Sequence, residues 1–355
     1  MKILMLSWRD TKNPKGGGAE YVTYELFRRW AKEHECTWFT SAFDGCLSSE
    51  VIDGVKVIRK GGAVGVYFEA YKFLKRNKFD VVIDQVNTIP FFTPLYYSGK
   101  KIAFFHQLCE NIWFYEMKFP LSLIGYIAEK IYLRLYNRIP SFAVSESTKK
   151  NLQKHGFKEV FVMKDCIDSK PLDSVPSKDR NSLVYVGRLK KSKRVHDIIE
   201  AFSIVHKEIP SSKLHIVGRG DKGYERKLKK MARLKENIIF HGYLPKEKRN
   251  SLMSKSEAIL VASVKEGWGL IVVEAAAVGT PAIVYDVDGL RDSVKDGETG
   301  LITKENNPEE LAKSIIGFLK DDKLKKDLSL NALEYSRSFD WDESAGVVLS
   351  FLSSY

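Results

Sequence analysis

Short apolar runs alternate with longer helical patterns along this chain, and that alternation limits its fold more than any other feature. The runs are rich in Val, Ile and Phe and recur from residues 2–8 to residues 300–302. Continuous apolar strands that alternate with helices form parallel sheets covered on both faces. The pattern therefore predicts an α/β fold with doubly wound sheets.

The length predicts two domains, because 355 residues exceed one ordinary core of roughly 150 residues. A polar segment with two prolines, residues 165–181, is the predicted linker. We expect an N-terminal domain at 1–165, a C-terminal domain at 166–339, and a helix at 340–355 that completes the first domain. Ligands of such sheets bind beyond the carboxyl ends of the strands, so we expect a cleft between the domains to hold the site.

Composition indicates a globular protein of a reducing compartment. Hydrophobic residues make up 44% and charged residues 29% of the chain. Four cysteines without metal-ligand spacing do not form a disulfide framework. The apolar start is too short for a secretory signal, and no uncharged apolar stretch reaches about 18 residues. We predict a cytoplasmic protein.

The net charge of +12 is unevenly distributed. Residues 178–255 carry 21 Lys or Arg and 8 Asp or Glu, whereas residues 256–355 carry 10 and 18. A basic middle region predicts a face that receives an anion, such as nucleotide phosphates, acidic lipid headgroups or nucleic acid. The alternative is a solvated Lys-rich helix at 222–235. No recognisable nucleic-acid-binding pattern occurs, so nucleic acid is not an expected partner.

Two glutamates eight positions apart form the strongest motif. A buried strand ends near residue 262, a glycine-containing turn holds Glu266, and a helix opens at Leu270. Glu274 then lies about one turn into that helix. Unpaired N–H groups at a helix start favour an anion, and a carboxylate beside them can accept hydrogen bonds from sugar hydroxyls. The alternative is a pair of surface glutamates around an ordinary helix cap.

A basic turn follows the predicted strand 183–186. The strand ends at Gly187, and Arg188 and Lys193 flank the turn into the next helix. A guanidinium fork and an ammonium point charge suit a diphosphate. The alternative is a solvated basic helix start, and neighbouring cations could also make the contact: Lys190, Lys191 and Arg194.

The first half contributes a glycine loop and a histidine. Gly17 and Gly18 stand between the first strand and an amphipathic helix, where glycines let backbone N–H groups approach a ligand. The loop is not a P-loop, because no Gly-Lys-Ser/Thr follows. His106 ends strand 102–105 at the same predicted sheet edge. The alternatives are an ordinary glycine turn and a structural core histidine.

Together these motifs resemble the retaining glycosyltransferases of the GT-B fold, whose Glu-x7-Glu motif matches Glu266 and Glu274. The resemblance implies two Rossmann-like domains, the first on the acceptor side and the second binding the nucleotide sugar. It implies that Glu274 holds the ribose hydroxyls, that Glu266 contacts the donor sugar, and that Arg188 and Lys193 contact the diphosphate. This chain departs from the family at Arg194, where glycine is usual.

The resemblance implies further contacts to the donor. Gly17 and Gly18 would face the diphosphate, and His106 would touch the donor sugar or the reacting centre. The second domain would contribute contacts to the base, the nucleotide and the leaving diphosphate from Gly218, Tyr243, Leu244, Gly269, Leu270 and Ile271. No metal and no resident cofactor are expected, because positive side chains and a helix start would stabilise the leaving group.

The predicted activity is transfer of a sugar from a UDP- or GDP-linked donor to an acceptor hydroxyl, with retention. The expected acceptor is a growing glycan or a polyprenol-linked lipid at the cytoplasmic membrane surface. An aromatic-rich region, 104–136, contains a helix with a wide apolar face, which is either a core helix or an interfacial element. Alternatives to the transferase are a GT-B sugar-nucleotide epimerase or phosphorylase, and a basic surface that binds lipid or nucleic acid without catalysis.

Overall fold

A computed structural model describes residues 1–167, 169–233 and 236–355. The chain divides into two compact units. Unit 1 comprises Met1–Glu110, Pro120–Cys166 and Asp340–Tyr355, and unit 2 comprises Asn111–Phe119 and Ile167–Phe339. Each unit contains a mainly parallel sheet with helices, which confirms the predicted α/β class.

Unit 1 contains an eight-stranded sheet in the order β3-β4-β2-β1-β5-β6-β7-β8. All neighbouring strands are parallel except β3 and β4. The strands are β1 (Lys2–Leu6), β2 (Glu35–Thr40), β3 (Ser49–Ile52), β4 (Val55–Arg59), β5 (Val81–Val86), β6 (Lys101–Phe105), β7 (Ser141–Ala143) and β8 (Val160–Val162).

Strand β3 is the one strand of this sheet that the apolar pattern does not predict. Its four residues alternate between exposed and half-buried, so it lacks an apolar run. It pairs with β4 through a tight hairpin turn in which Asp53 and Gly54 have positive φ angles of 47° and 82°. Asp-Gly is a common sequence for such a turn, and this dipeptide is the signal that predicts the hairpin.

Five helices lie between residues 1 and 166. They are α1 (Gly18–Trp30), α2 (Gly65–Arg76), α3 (Ile112–Glu116), α4 (Leu121–Tyr136) and α5 (Glu146–Lys154). All but α3 belong to unit 1. A final helix, α13 below, returns to unit 1 and packs on α1, where the Trp30 indole N–H donates to the Ala345 carbonyl at 3.1 Å.

Unit 2 contains a six-stranded, fully parallel sheet in the order β11-β10-β9-β12-β13-β14. Its strands are β9 (Ser182–Val186), β10 (Lys213–Val217), β11 (Ile238–Gly242), β12 (Ala258–Val261), β13 (Ala282–Val284) and β14 (Gly300–Ile302). The remaining helices are α6 (Val195–Glu208), α7 (Lys222–Ala232), α8 (Lys246–Lys255), α9 (Leu270–Ala276), α10 (Leu290–Ser293), α11 (Pro308–Lys320), α12 (Asp322–Ser336) and α13 (Trp341–Ser354).

The central strand β9 shows why these runs are continuously apolar. Leu183 and Tyr185 pack into one core cluster, which includes residues of α6 and α11. Val184 and Val186 pack into a second cluster, which includes residues of α9. Because successive side chains point to opposite faces of a strand, both faces need apolar residues when helices cover both.

Each sheet reverses its strand order at one point. In unit 2 the chain runs outward from β9 to β11 and then returns to the other side of β9 as β12. In unit 1 the corresponding neighbours are β1 and β5. A crevice opens outside the carboxyl ends of the strands at such a switch point, and ligands of open α/β sheets bind there. These two edges therefore hold the candidate site residues.

Candidate active site

Two turns meet at the switch point of unit 2. One leaves β9 and forms a short 3-10 turn at Lys191–Lys193 before α6 begins. The other leaves β12 and leads to α9. The Val264 N–H donates to the Ser192 carbonyl at 2.8 Å, which joins the two turns through the backbone. The two strongest sequence motifs are therefore neighbours in space.

Lys193 and Glu266 form an ion pair between these turns. The Lys193 Nζ lies 2.5 Å from Glu266 Oε1, and the two side chains are 26% and 16% exposed. The Ser263 hydroxyl donates to the same carboxylate oxygen at 2.6 Å. Both side chains remain partly open to solvent, so a ligand at this edge can reach the cation and the carboxylate together.

Arg188 is an exposed cation at the start of the turn that follows β9. The backbone beneath it is held in place, because the buried Tyr185 hydroxyl donates to the Arg188 carbonyl at 2.9 Å. Within the described parts of the chain, no carboxylate pairs with its guanidinium. Arg188 thus keeps its charge available for an anionic ligand.

The neighbouring cations are engaged by other carboxylates. Arg194 has a left-handed backbone with φ of 47°, a conformation that favours glycine and agrees with the glycine usual at this position. Its guanidinium Nη2 lies 2.6 Å from Asp197 Oδ2. Lys190 Nζ lies 3.1 Å from Glu116 Oε2. Arg194 and Lys190, two of the cations that could replace Lys193 as the diphosphate contact, therefore already have anionic partners.

Glu274 lies about one turn into α9 and is half-buried. Its Oε1 lies 3.0 Å from the Nη2 of Arg249, which projects from α8. The same guanidinium nitrogen donates to the Asn250 amide oxygen at 3.1 Å. Arg249 is not among the predicted site residues, because it stands among several basic residues on α8 without a motif.

Two glycines shape the backbone at this edge. Gly218 follows β10, and a Cβ built there would lie 1.8 Å from the Gly187 carbonyl oxygen. Only glycine lets these two strand ends approach so closely. Gly269 has a φ of 95° and precedes α9, whose first two residues, Leu270 and Ile271, are half-buried.

Tyr243 and Leu244 follow β11 at the same edge. The Gly218 N–H donates to the Gly242 carbonyl at 2.7 Å, which ties this turn to the one after β10. Tyr243 is 68% exposed, whereas Leu244 is half-buried and packs against the core cluster that includes α9 residues. The exposed ring and the backbone beside it are accessible to a ligand.

The segment Asn111–Phe119 belongs to unit 2, although the sequence pattern assigns it to the first domain. Glu116 explains the difference, because its carboxylate accepts hydrogen bonds from the Ser192 hydroxyl and from Lys190. Burial raises the pKa of Glu116, but these hydrogen bonds outweigh burial and hold the pKa below its usual value. An ionised carboxylate therefore sits on the turn that carries Lys193.

In unit 1 the glycine loop leads directly into α1. Gly17 precedes the helix and Gly18 is its first residue. The buried Glu20 carboxylate accepts a hydrogen bond from the Gly17 N–H at 2.7 Å, so one N–H of the helix start already has a partner. A buried ion pair between Arg59 and Asp10, 2.7 Å apart, anchors the chain just before the loop.

His106 directly follows β6 and is 6% exposed. Burial lowers its pKa to about 3, so the ring is neutral near pH 7. The Gln85 amide nitrogen lies 2.7 Å from His106 Nε2 and 2.5 Å from the Thr23 hydroxyl of α1. An amide that donates to Nε2 leaves the ring proton on Nδ1. Gln85 and the preceding Asp84 are polar residues in a fully buried strand, which is a signal that the sequence-based predictions did not use.

These two units have the fold of GT-B glycosyltransferases. The solved structure of HepE from Anabaena, in complex with UDP-glucose, matches with a TM-score of 0.78 and 20% sequence identity, and the match covers 100% of both chains. At this identity the likeness shows the fold alone.

The sequence matches two glycosyltransferase families in succession. Residues 16–170 match Glycosyltransferase Family 4, and residues 168–335 match Glycosyl transferases group 1. The chain therefore belongs to the glycosyltransferases that combine these two domains, as the motifs predict.

Curated relatives are similar over part of their length. Poly(glycerol-phosphate) alpha-glucosyltransferase of Bacillus subtilis (strain 168) is 30% identical over 219 residues, which span 59% of this chain and 32% of that protein. N-acetyl-alpha-D-glucosaminyl L-malate synthase of Bacillus anthracis is 29% identical over 159 residues, spanning 44% of this chain and 41% of that protein. The matched regions thus cover less than half of either relative.

Proposed function

We propose that the protein transfers a sugar from a nucleoside diphosphate sugar to an acceptor hydroxyl, with retention of the anomeric configuration. The observation that carries the proposal is the arrangement at the switch point of unit 2. There, Lys193 and Glu266 form a partly exposed pair on the turns that follow β9 and β12, Arg188 is an exposed cation on the first of these turns, and Glu274 lies on the helix after the second. Cations for a diphosphate and carboxylates for sugar hydroxyls thus share one sheet edge.

In this proposal Arg188 and Lys193 bind the donor diphosphate. Arg188 offers a planar fork of donors, and Lys193 offers a compact charge. As the bond from the anomeric carbon to the diphosphate oxygen breaks, negative charge grows on the leaving group. Fixed positive groups stabilise that charge more in the transition state than in the bound donor. This is the task for which other transferases use a metal, and the proposal includes no metal.

The two carboxylates bind the two sugars of the donor, which are the ribose and the transferred sugar. Glu274, held by Arg249 at 3.0 Å, accepts hydrogen bonds from the ribose hydroxyls. Glu266 contacts the transferred sugar while Lys193, its partner, moves toward the diphosphate. The remaining proposed contacts come from the glycine turns, the base-side residues and the first unit: Gly17, Gly18, His106, Gly218, Tyr243, Leu244, Gly269, Leu270 and Ile271.

The proposal assigns no general base. His106 is neutral, but a pKa of about 3 makes it a very weak base near pH 7. It acts instead as a neutral hydrogen-bonding group. The acceptor oxygen bonds to the anomeric carbon on the face that the diphosphate leaves, and a diphosphate oxygen takes the hydroxyl proton.

The donor is UDP- or GDP-linked, and the similarity to HepE, solved with UDP-glucose, places UDP first among the nucleotides to test. The proposed acceptor is a growing glycan or a lipid-linked hydroxyl at the cytoplasmic face of a membrane. Relatives named as a glucosyltransferase and an N-acetylglucosaminyl synthase support sugar transfer without naming the acceptor of this chain.

Thermal unfolding with UDP, GDP, ADP and TDP tests the donor site. A ligand at about 100 times its dissociation constant adds roughly 2.7 kcal/mol of stability, which shifts the midpoint visibly. We expect one diphosphate to stabilise the wild type and the Glu274→Ala variant to lose the response. Glu200→Ala is the matched control, because it removes an exposed carboxylate from α6 of the same unit.

Equal loss in both variants, or no response to any nucleotide by the folded protein, would contradict the proposal. Binding of oligonucleotides with steep salt dependence would instead favour a basic binding surface. Once the donor is known, the anomeric configuration of the product by NMR tests retention. Release of an epimerised nucleotide sugar without an acceptor would identify an epimerase, and phosphate-dependent product formation would identify a phosphorylase.

A further inference from the structure

Helix α4 buries one side, which carries Glu129 together with Tyr132, Leu133 and Tyr136, and exposes an aliphatic stripe on the opposite side. Ser122 and Glu129 are buried, at 3% and 2% exposure. The opposite stripe is 36–59% exposed and contains only aliphatic residues at helical spacing, namely Leu121, Ile124, Ile127, Ile131 and Leu135. We call this stripe the α4 surface. A helix that packs only on its own domain normally presents polar residues, and not an aliphatic stripe, on its exposed side.

Hydrogen bonds hold α4 in this orientation. The Glu129 carboxylate accepts from the backbone N–H groups of Cys109 and Glu110 at 2.7 and 2.6 Å. The Tyr132 hydroxyl donates to the Thr88 carbonyl, and the Tyr136 hydroxyl donates to buried Asp84, both at 2.5 Å. Turning the α4 surface inward would break all of these bonds and leave buried polar groups unpaired. The exposure of the aliphatic stripe is thus built into the fold.

The segment of unit 1 that packs against the buried side of α4 also has exposed aliphatic residues. Ile89 and Leu95 are 43% and 64% exposed. That segment touches α4 through the Thr88 carbonyl and through Phe92, whose ring lies 6.3 Å from the Tyr132 ring. Exposed aliphatic residues that cluster on a surface, as they do along the α4 stripe, mark an interaction site.

The exposed charges of α4 are all positive. Lys130 and Arg134 are exposed, and the one acidic residue of the helix, Glu129, is buried. Aliphatic residues flanked by cations fit an anionic bilayer, where the chains enter the headgroup boundary and the cations meet phosphate. A second copy fits less well, because a symmetric contact would bring only like charges together.

We propose that the α4 surface docks on the anionic headgroups of a lipid bilayer, with α4 lying in the plane of the interface. The inference rests on the proposed function, because a lipid-linked acceptor would bring the protein to a membrane. The structural observations for it come from α4. In the part of the chain that the structure describes, no helix is long and apolar enough to cross a membrane. Helix α4 has 16 residues and is about 24 Å long, which suits a helix lying on the surface.

Co-sedimentation with vesicles tests this surface. We expect the full chain to bind vesicles of equal parts phosphatidylglycerol and phosphatidylcholine, and to bind pure phosphatidylcholine at least tenfold more weakly. The variant Ile127→Gln/Ile131→Gln should lose at least tenfold in affinity. Leu330→Gln on α12 is the matched control, because Leu330 is 47% exposed and Ile127 is 48% exposed. Equal binding by these variants would overturn the proposal.

A second pair of variants tests whether the exposed cations of α4 contribute to binding. Lys130→Gln/Arg134→Gln should weaken binding to the anionic vesicles about tenfold, since each cation near such a surface contributes measurably. Lys323→Gln/Lys326→Gln on α12 removes the same charge from exposed positions of unit 2 and should have little effect. Equal loss in both variants would mean that net charge, and not the α4 surface, attracts the protein to lipid.

Nucleotide response separates failure of this inference from failure of the proposed function. If UDP or GDP stabilises the protein but the protein does not bind anionic vesicles, the proposed function stands and the docking proposal is wrong. If the protein binds vesicles through α4 but no nucleotide stabilises it, the docking proposal stands and the proposed function is wrong. If the isoleucine variant instead turns a dimer into a monomer, by light scattering, and vesicles do not bind, a second copy covers α4 and the lipid proposal is wrong.

Discussion

The two sheet edges have the same strand reversal but carry opposite chemistry. At the edge of unit 2, cations and carboxylates pair repeatedly: Lys193 with Glu266, Arg249 with Glu274, and Lys265 with Asp288 at 3.3 Å. At the edge of unit 1, the central groups are neutral, because the His106 imidazole contacts the Gln85 amide and Gln85 contacts a hydroxyl of α1.

The difference shows that the topology positions a site while the turns after the strands decide its chemistry. A diphosphate needs accessible counter-charges, and the edge of unit 2 supplies the partly exposed Lys193 beside Glu266, whereas the Arg59–Asp10 ion pair of unit 1 is fully buried. Neutral donors and acceptors suit sugar hydroxyls, which carry no charge to balance. If this comparison is right, substitutions that remove charge should harm donor chemistry at one edge, and those that add charge should harm folding at the other.

The largest expected effect follows from removing the cation at the edge of unit 2. Lys193→Ala should lower the rate of sugar transfer about 10²–10³-fold, the range for loss of one group that stabilises developing negative charge. Initial rates with the donor identified by thermal unfolding provide the measurement. Lys191→Ala is the matched control, because Lys191 is an exposed lysine in the same 3-10 turn. Equal losses would show that this edge acts through overall charge and not through Lys193.

The next effect concerns acid stability at the neutral edge. The pKa of His106 falls from 6.5 to about 3 on burial. As pH falls below 6.5, the unfolded chain binds a proton at His106 while the folded chain does not, so folding stability drops until about pH 3. Between pH 7 and pH 5 the wild type should therefore lose about 2 kcal/mol that His106→Gln does not lose.

Urea unfolding at both pH values measures this loss. His34→Gln, a histidine substitution elsewhere in unit 1, should leave the wild-type loss in place. If His106→Gln has the same acid sensitivity as the wild type, then His106 is protonated in the folded protein. The edge of unit 1 would then be cationic under acid conditions, and the contrast between the two edges would shrink.

The central strands of unit 2, β9, β12 and β13, are predictable because they are buried on both faces, so their sequences are almost continuously apolar. The end of β9 is predictable as well, since Gly187 interrupts the apolar pattern where the turn begins. Strand β3 cannot be predicted from an apolar run, because an edge hairpin with one exposed side needs none. Its only sequence signal is the Asp53-Gly54 turn.

Side-chain pairs between elements distant in sequence are not predictable in this way. Arg249 meets Glu274 only because α8 and α9 pack side by side, and Gln85 meets His106 only because β5 and β6 are neighbours. The orientation of α4 is likewise hidden, because apolar residues occur around most of the helix. Burial of Glu129 against two backbone N–H groups decides which side faces solvent.

Arg249 offers a smaller test of the charged edge. Arg249→Gln removes the cation that holds Glu274, so the KM for the donor should rise about tenfold while kcat changes little, the pattern for lost ground-state binding. Arg249→Lys should recover part of the loss. Arg226→Gln on α7 removes an arginine from the same unit and should behave like the wild type. A fall in kcat alone would place Arg249 at the reacting centre and not behind the ribose.

The smallest expected effect tests whether a carboxylate at the edge of unit 2 weakens binding of the anionic ligand. Glu116 carries a negative charge on the turn of Lys190 and Ser192. Glu116→Gln keeps a hydrogen-bond acceptor for Ser192 but removes the charge, so the diphosphate should bind about twofold more tightly at low salt, as expected for a unit charge roughly 8 Å away in water.

Titration of UDP or GDP at 50 and 500 mM NaCl measures the change, which salt should abolish because exposed charges are screened. Glu225→Gln on α7, whose carboxylate lies 2.8 Å from Lys229, is the control for removing a paired acid elsewhere in unit 2. Weaker binding by Glu116→Gln at both salt concentrations would reverse the interpretation. The segment 111–119 would then hold the cationic turn in its binding geometry, and the pairing at this edge would serve to position the cations more than to balance their charge.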